Sequence, residues 1–142
     1  DEGFELEAKN RLARIGFDRV VGFLEHPYVV MLDHAERVRQ ASRMTAVEFD
    51  ARREGIDGLQ LVDIRNPGEV ALGAIRGATT IPVGQLPNRV DELDPAAPTV
   101  VYCAGGYRSS VAASVLRQAG FTDVSDILGG YGAWQEVQPA LV

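Results

Sequence analysis

The chain's single cysteine, Cys103, closes the apolar run Thr99-Val-Val-Tyr-Cys103 and is followed by Ala-Gly-Gly-Tyr-Arg108, two serines and a helical pattern. That order predicts a sulfur at the carboxyl end of a strand, in a glycine-rich loop, at the start of a helix. Such a loop and helix end aim several backbone N–H groups at one point, and Arg108 adds a full charge. A thiol in that field is expected to ionise readily, with an anion bound beside it. A buried, inert thiol is the ordinary fate of a lone cysteine. That fate leaves Gly105, Gly106 and Arg108 unexplained, because glycines let a backbone curl tightly enough to point its amides inward. Cys103 is therefore the candidate nucleophile.

At an ordinary thiol pKa only about 3% of the group is ionised at pH 7. Lowering the pKa raises the thiolate fraction but also lowers its nucleophilicity, so the net gain in rate is only severalfold. The loop must then contribute in another way, by binding an anionic substrate and stabilising charge on sulfur as bonds exchange. That points to anionic sulfur or phosphate species. Loop length separates the two. Cysteine phosphatases place five residues between cysteine and arginine, whereas four, Ala104 to Tyr107, separate Cys103 from Arg108. The smaller ring suits a terminal sulfur on cysteine better than a phosphoryl group, and phosphatase chemistry is the weaker alternative.

The elements that must hold this loop follow from periodicity and punctuation. Thr45-Ala-Val-Glu48 is a capping box that opens a helix to about Glu54, closed near Gly55. Leu59 to Ile64 has the continuous apolar character of a buried strand. Asn66-Pro-Gly-Glu69 opens a short helix with proline in its first turn. Ala78 to Ile81 is a short strand stopped by Pro82, and Gln85 to Asp94 a turn or short helix. Val100 to Tyr102 is the central strand, Ser110 to Gln118 a helix, Val124 to Leu128 a strand, and Tyr131 to Val137 a last helix after Gly129-Gly130. Strands alternating with helices imply an α/β three-layer sandwich around a mostly parallel five-stranded sheet. In such a sheet ligands gather at the carboxyl ends of the strands, where Cys103 falls. Asp63 and Arg65 end a neighbouring strand, and pairing and loop bracing is their expected role. Trp134 is expected in the core. His26 and His34 have no evident partner and are read as inert.

Composition limits the function classes. The chain has 142 residues, 46% apolar, enough for one domain with a core that needs no disulfide. A lone cysteine makes no internal bridge, so the expected setting is cytoplasmic. No apolar stretch approaches membrane-spanning length and no signal peptide is visible, so no membrane partner is expected. The net charge of −6 disfavours a nucleic-acid partner held by a basic surface.

Near the start, Leu12, Gly16, Phe17 and Val20 match Leu116, Gly120, Phe121 and Val124 at a constant offset. Both stretches have the order helix, glycine cap, strand. The expectation is a repeat, with residues 1–28 the remnant of a preceding similar unit, 29–42 a linker with some helix, and 43–142 the main domain. The first residue, Asp1, is not methionine, which fits a processed or trimmed chain.

Residues 43 to 138 resemble a rhodanese domain, the fold of thiosulfate sulfurtransferases. The resemblance rests on Val62-Asp-Ile-Arg65 with Glu69, on Gly73-Ala-Ile-Arg-Gly-Ala78 before Ile81-Pro82, on Cys103-Ala-Gly-Gly-Tyr-Arg108, and on Gly129-Gly-Tyr-Gly-Ala-Trp134, in the family's order. It implies that Cys103 is the catalytic cysteine. Ala104, Gly105, Gly106, Tyr107, Arg108 and Ser109 would form the substrate-binding loop and its edge. Tyr107 either lines the entrance or fills space, Arg108 orients the anion, and Ser109 also caps the following helix. The chain lacks the histidine and proline the family often carries between Gly73 and Ala78. The implied activity moves sulfane sulfur from thiosulfate or a small persulfide to a thiol or cyanide through a Cys103 persulfide. A persulfide carrier or docking module is the alternative. No organic cofactor and no metal are implied. The partners are a small anionic sulfur donor and a thiol acceptor. The layout also resembles metallo-β-lactamase-fold proteins with rhodanese repeats at the C-terminus, so upstream domains of the same protein are a further expected partner.

Overall fold

The computed structural model describes residues 3–137. The chain divides into two compact units between Gln40 and Ala41.

The first unit carries helix α1 (Glu5–Ala13) and helix α2 (Pro27–Asp33), with a 3-10 turn at Ala35–Arg37. After α1 the chain turns at Gly16, φ +93°, and the Phe17 N–H returns to the Leu12 carbonyl at 3.0 Å. The helix and its glycine turn thus form as expected, but the strand expected at Val20 does not: residues 17–24 have no regular structure. The physical reason is that a strand is stable only when its backbone groups pair with a neighbour, and among the described residues this unit has no sheet. His34 lies 3.8 Å from Glu36 on an exposed turn.

The second unit is a five-stranded sheet flanked by helices. In chain order it runs β1 (Ser42–Met44), α3 (Ala46–Arg52), β2 (Gln60–Asp63), α4 (Pro67–Val70), β3 (Thr79–Thr80), α5 (Leu86–Arg89), β4 (Thr99–Tyr102), α6 (Tyr107–Gln118), β5 (Val124–Ile127) and α7 (Gly130–Val137). The strand order is β1-β5-β4-β2-β3, and every pairing is parallel. β4 is central, and its four residues are all buried, as a strand covered on both faces should be. The α/β class, the five strands and the helical flanks match the sequence expectation.

Side chains alternate between the two faces. Leu61, Val100, Tyr102 and Ile127 pack with Ala46 and Phe49 of α3, and with Tyr131 and Trp134 of α7. Trp134 thus lies against this core as expected. Val62, Val101 and Val124 point the other way, the side of Ala112, Ala113 and Leu116 on α6. Thr45 and Glu48 form the expected capping box: the Thr45 hydroxyl accepts from the Glu48 N–H at 3.2 Å, and Glu48 accepts from the Thr45 N–H at 2.8 Å. The fully buried Tyr102 keeps its hydroxyl paired by accepting the Ile75 N–H at 3.0 Å, and burial holds that hydroxyl well above the usual phenol range. No helix of the described residues is long and apolar enough to cross a membrane.

Candidate active site at the carboxyl end of the central strand

Cys103 immediately follows β4, at the carboxyl edge of the middle strand. The next residues rise into a short loop and return as α6 at Tyr107. Gly106 makes this turn, with φ +89°, in the region an L side chain rarely adopts. A Cβ there would also lie 3.0 Å from the Gly129 nitrogen, so the position requires glycine twice over. The conformation aims the Gly106 N–H at the Cys103 sulfur, 3.1 Å away. Behind Gly106, the first-turn amides of α6 have no side-chain cap and no carbonyl within their own helix. The sulfur therefore sits at the positive end of a three-turn helix.

The loop is held from below by α7. The Tyr131 N–H donates to the Cys103 carbonyl at 2.7 Å, and the Gly132 N–H to the Ala104 carbonyl at 3.1 Å. Gly130, φ +59°, allows this close approach, since a Cβ there would collide with the Cys103 carbonyl oxygen. Cys103 is 1% exposed, whereas Ala104, Gly105 and Tyr107 form the exposed rim above it. Tyr107 thus stands at the mouth of the loop.

Arg108 pairs with Glu69. Its two terminal nitrogens donate to the two carboxylate oxygens at 2.7 and 2.6 Å. The same carboxylate accepts the Asn66 N–H at 3.1 Å, so one side chain caps α4 and clamps the loop arginine. Arg108 holds Glu69 below the usual carboxylate range, and the Asn66 N–H adds to this. A lowered carboxyl favours the folded state above the ordinary value of 4.5 and stops doing so as pH falls through its folded value. Part exposure limits the pair to about 1 kcal/mol. Glu69→Gln should therefore lose about 1 kcal/mol at neutral pH and show a flatter fall in stability with acid. Urea midpoints measured from about pH 7 to about pH 3 check this; an unchanged acid slope would remove Glu69 from the account.

Asp63 and Arg65 form a buried pair. The Arg65 Nε and Nη2 donate to the Asp63 carboxylate at 2.9 and 2.6 Å, and Nη2 also donates to the Gly73 carbonyl at 2.7 Å. The guanidinium lies 4.1 Å from the Tyr131 ring centroid, in cation–π geometry. Arg65 thus reaches the Cys103 loop through Tyr131, whose N–H holds the Cys103 carbonyl.

Ser109 requires a correction. It is not an N-cap: α6 begins two residues before it, because the positive φ of Gly106 completes the turn earlier than the serine pair suggests. Ser109 is fully buried and lies beneath the sulfur, where the Cys103 thiol donates to its Oγ at 3.6 Å. Its hydroxyl in turn donates to Asp126 Oδ2 at 3.4 Å. Asp126 on β5 is fully buried and is paired by Arg43 of β1, whose Nε and Nη2 donate at 2.9 and 2.8 Å.

Glu69, Asp126, Arg43 and Tyr131 are therefore site residues that were not singled out as such from sequence. The Asn66-to-Glu69 spacing, that of a capping box, was a signal for Glu69. A carboxylate in the buried run Val124-Ser-Asp-Ile127 was a signal for Asp126, because such a group requires a partner. Among the described residues, no group of three or more His, Cys, Asp or Glu side chains is placed to hold a metal ion.

The residues that build this loop coincide with a known sequence pattern. The Rhodanese-like domain family matches residues 45–137. The chain is 40% identical over 90 residues to a thiosulfate sulfurtransferase, GlpE, of Pseudomonas paraeruginosa, covering 63% of this chain and 82% of the relative. It is 36% identical over 100 residues to the uncharacterized protein YqhL of Bacillus subtilis, covering 70% and 79%. The crystal structure of a rhodanese-related protein from Thermoplasma volcanium superposes with a TM-score of 0.63 at 27% identity, covering 72% of this chain and 98% of that one. With a strand-loop-helix cradle around Cys103 inside a matched span of this length, the chain belongs to the rhodanese-like domain family.

Proposed function

We propose that this domain is a sulfurtransferase that works through a persulfide on Cys103. The observation that carries the reading is the Gly106 N–H aimed at the sulfur from 3.1 Å, in a loop one residue shorter than the cysteine phosphatases use. The relatives named thiosulfate sulfurtransferase add support.

In the first step the Cys103 thiolate attacks the outer sulfur of thiosulfate. A new S–S bond forms to Cys103, the donor's S–S bond breaks, and sulfite leaves with the electron pair. A small persulfide reacts in the same way and releases its thiolate. The terminal sulfur on Cys103 is then an anion, and the loop amides stabilise it. In the second step an acceptor thiolate attacks that outer sulfur, and Cys103 leaves as thiolate. Cyanide as acceptor yields thiocyanate. The two half-reactions share one enzyme form, so ping-pong kinetics are expected.

Incubating the reduced protein with thiosulfate, and separately with glutathione persulfide, should add the mass of one sulfur atom, located on Cys103. An acceptor thiol should remove it. Loading without release would reassign the domain as a sulfur carrier, and no mass gain from either donor would end the sulfurtransferase reading.

A further inference from the structure

The mechanism uses the front of Cys103, but a second set of groups stands behind it. Ser109 lies under the sulfur, Asp126 under Ser109, and Arg43 beside Asp126. Arg43 comes from the edge strand β1, 83 positions away from Asp126 in sequence, and the two are direct register partners across β1 and β5. The Arg43 Nη2 also donates to the Gly106 carbonyl at 3.4 Å.

We propose that Arg43 and Asp126 are positioning residues for the nucleophile, acting through the Ser109 hydroxyl on the readiness of Cys103 to ionise. The inference rests on Cys103 being the reacting sulfur.

Ser109 has one hydroxyl proton and two neighbours that compete for it. While Cys103 is a thiol, its S–H donates to Ser109, and Ser109 donates to Asp126. When the thiol proton is lost to solvent, the sulfur can only accept. The Ser109 hydroxyl then has to turn its proton to the sulfur and release Asp126. Asp126 tolerates the release because Arg43 still supplies two short, charge-assisted bonds. Without Arg43, Asp126 would be a buried, uncompensated anion. It would hold the Ser109 proton and repel the thiolate. The charged groups around the sulfur thus form two ion pairs: Arg43 with Asp126 from β1 and β5, and Arg108 with Glu69 from α6 and α4.

The test is the pH dependence of iodoacetamide alkylation of Cys103 in the reduced full chain. Arg43→Gln should move the midpoint up by about one pH unit, which is about tenfold slower alkylation below the midpoint. Asp126→Asn removes the negative charge and should move it down. The double variant should return close to wild type, and Arg43→Lys, which keeps the charge, should stay close throughout. Opposite shifts that cancel support the inference. A general loosening of the loop would instead move both single variants in the same direction. That result, or unmoved midpoints, overturns the proposal. If Arg43→Gln does not fold, the sign for Asp126→Asn decides. Sulfur loading measured on the same samples separates the two readings. Unmoved midpoints with normal loading sink only this inference, and opposite shifts without any loading sink only the sulfurtransferase assignment.

Discussion

Replacing Cys103 with serine should reduce sulfur transfer to background, a loss of at least about a thousandfold, or about 4 kcal/mol of transition-state stabilisation. A hydroxyl at this position does not ionise near neutral pH, and an oxygen cannot carry the outer sulfur as a persulfide. Volume and burial change little, so the fold should remain. The Gly106 N–H and the Ser109 hydroxyl still have a polar atom to meet. Steady-state assays with thiosulfate and a thiol acceptor measure the loss, and urea unfolding confirms that stability has moved by less than about 1 kcal/mol. Full transfer by a folded Cys103→Ser protein would refute the assignment of the nucleophile.

Replacing Arg65 with methionine should destabilise the protein by about 3–5 kcal/mol. The side chains of Arg65 and Asp63 are 4% and 0% exposed, so removing the cation strands a carboxylate in the interior. The Gly73 carbonyl loses its donor in the same change. Converting Asp63 to asparagine in the Arg65→Met background removes the stranded charge and should recover a large part of the loss. Urea unfolding of the two single variants and the double completes the cycle. Transfer should also fall in the folded fraction of the single Arg65 variant. The Tyr131 ring loses the guanidinium above it, and the Tyr131 N–H is what holds the Cys103 carbonyl. A loss below about 1 kcal/mol would show that the pair is not what anchors this side of the loop.

The local parts of the site were legible in the chain because their causes are local. The run before Cys103, the glycines after it and the helical pattern beyond them placed a thiol at a strand end. The same kind of signal placed the cap at Thr45 and Glu48 and the short helix that opens at Asn66. Where a boundary depended on one backbone angle, the pattern misled. The serines after Arg108 suggested a helix opening at Ser110 with Ser109 as cap. The left-handed turn at Gly106 instead starts α6 at Tyr107 and buries Ser109 under the sulfur. The strand expected at Val20 had the right residue types, but among the described residues it has no neighbour to pair with.

The amino-acid order alone determined the cradle: a cysteine, the glycines that curl the backbone around it, and the helix that follows. Spacing of a few residues sets caps, turns and periodicity, and such spacing is visible without a fold. Only the tertiary structure decided what stands around the sulfur. Arg43 meets Asp126 because β1 lies beside β5 in a parallel register. Arg108 meets Glu69, 39 positions away in sequence, although nothing in the spacing links them. Buried charges take whichever partner the sheet order and packing bring within reach, and that order is a property of the whole domain.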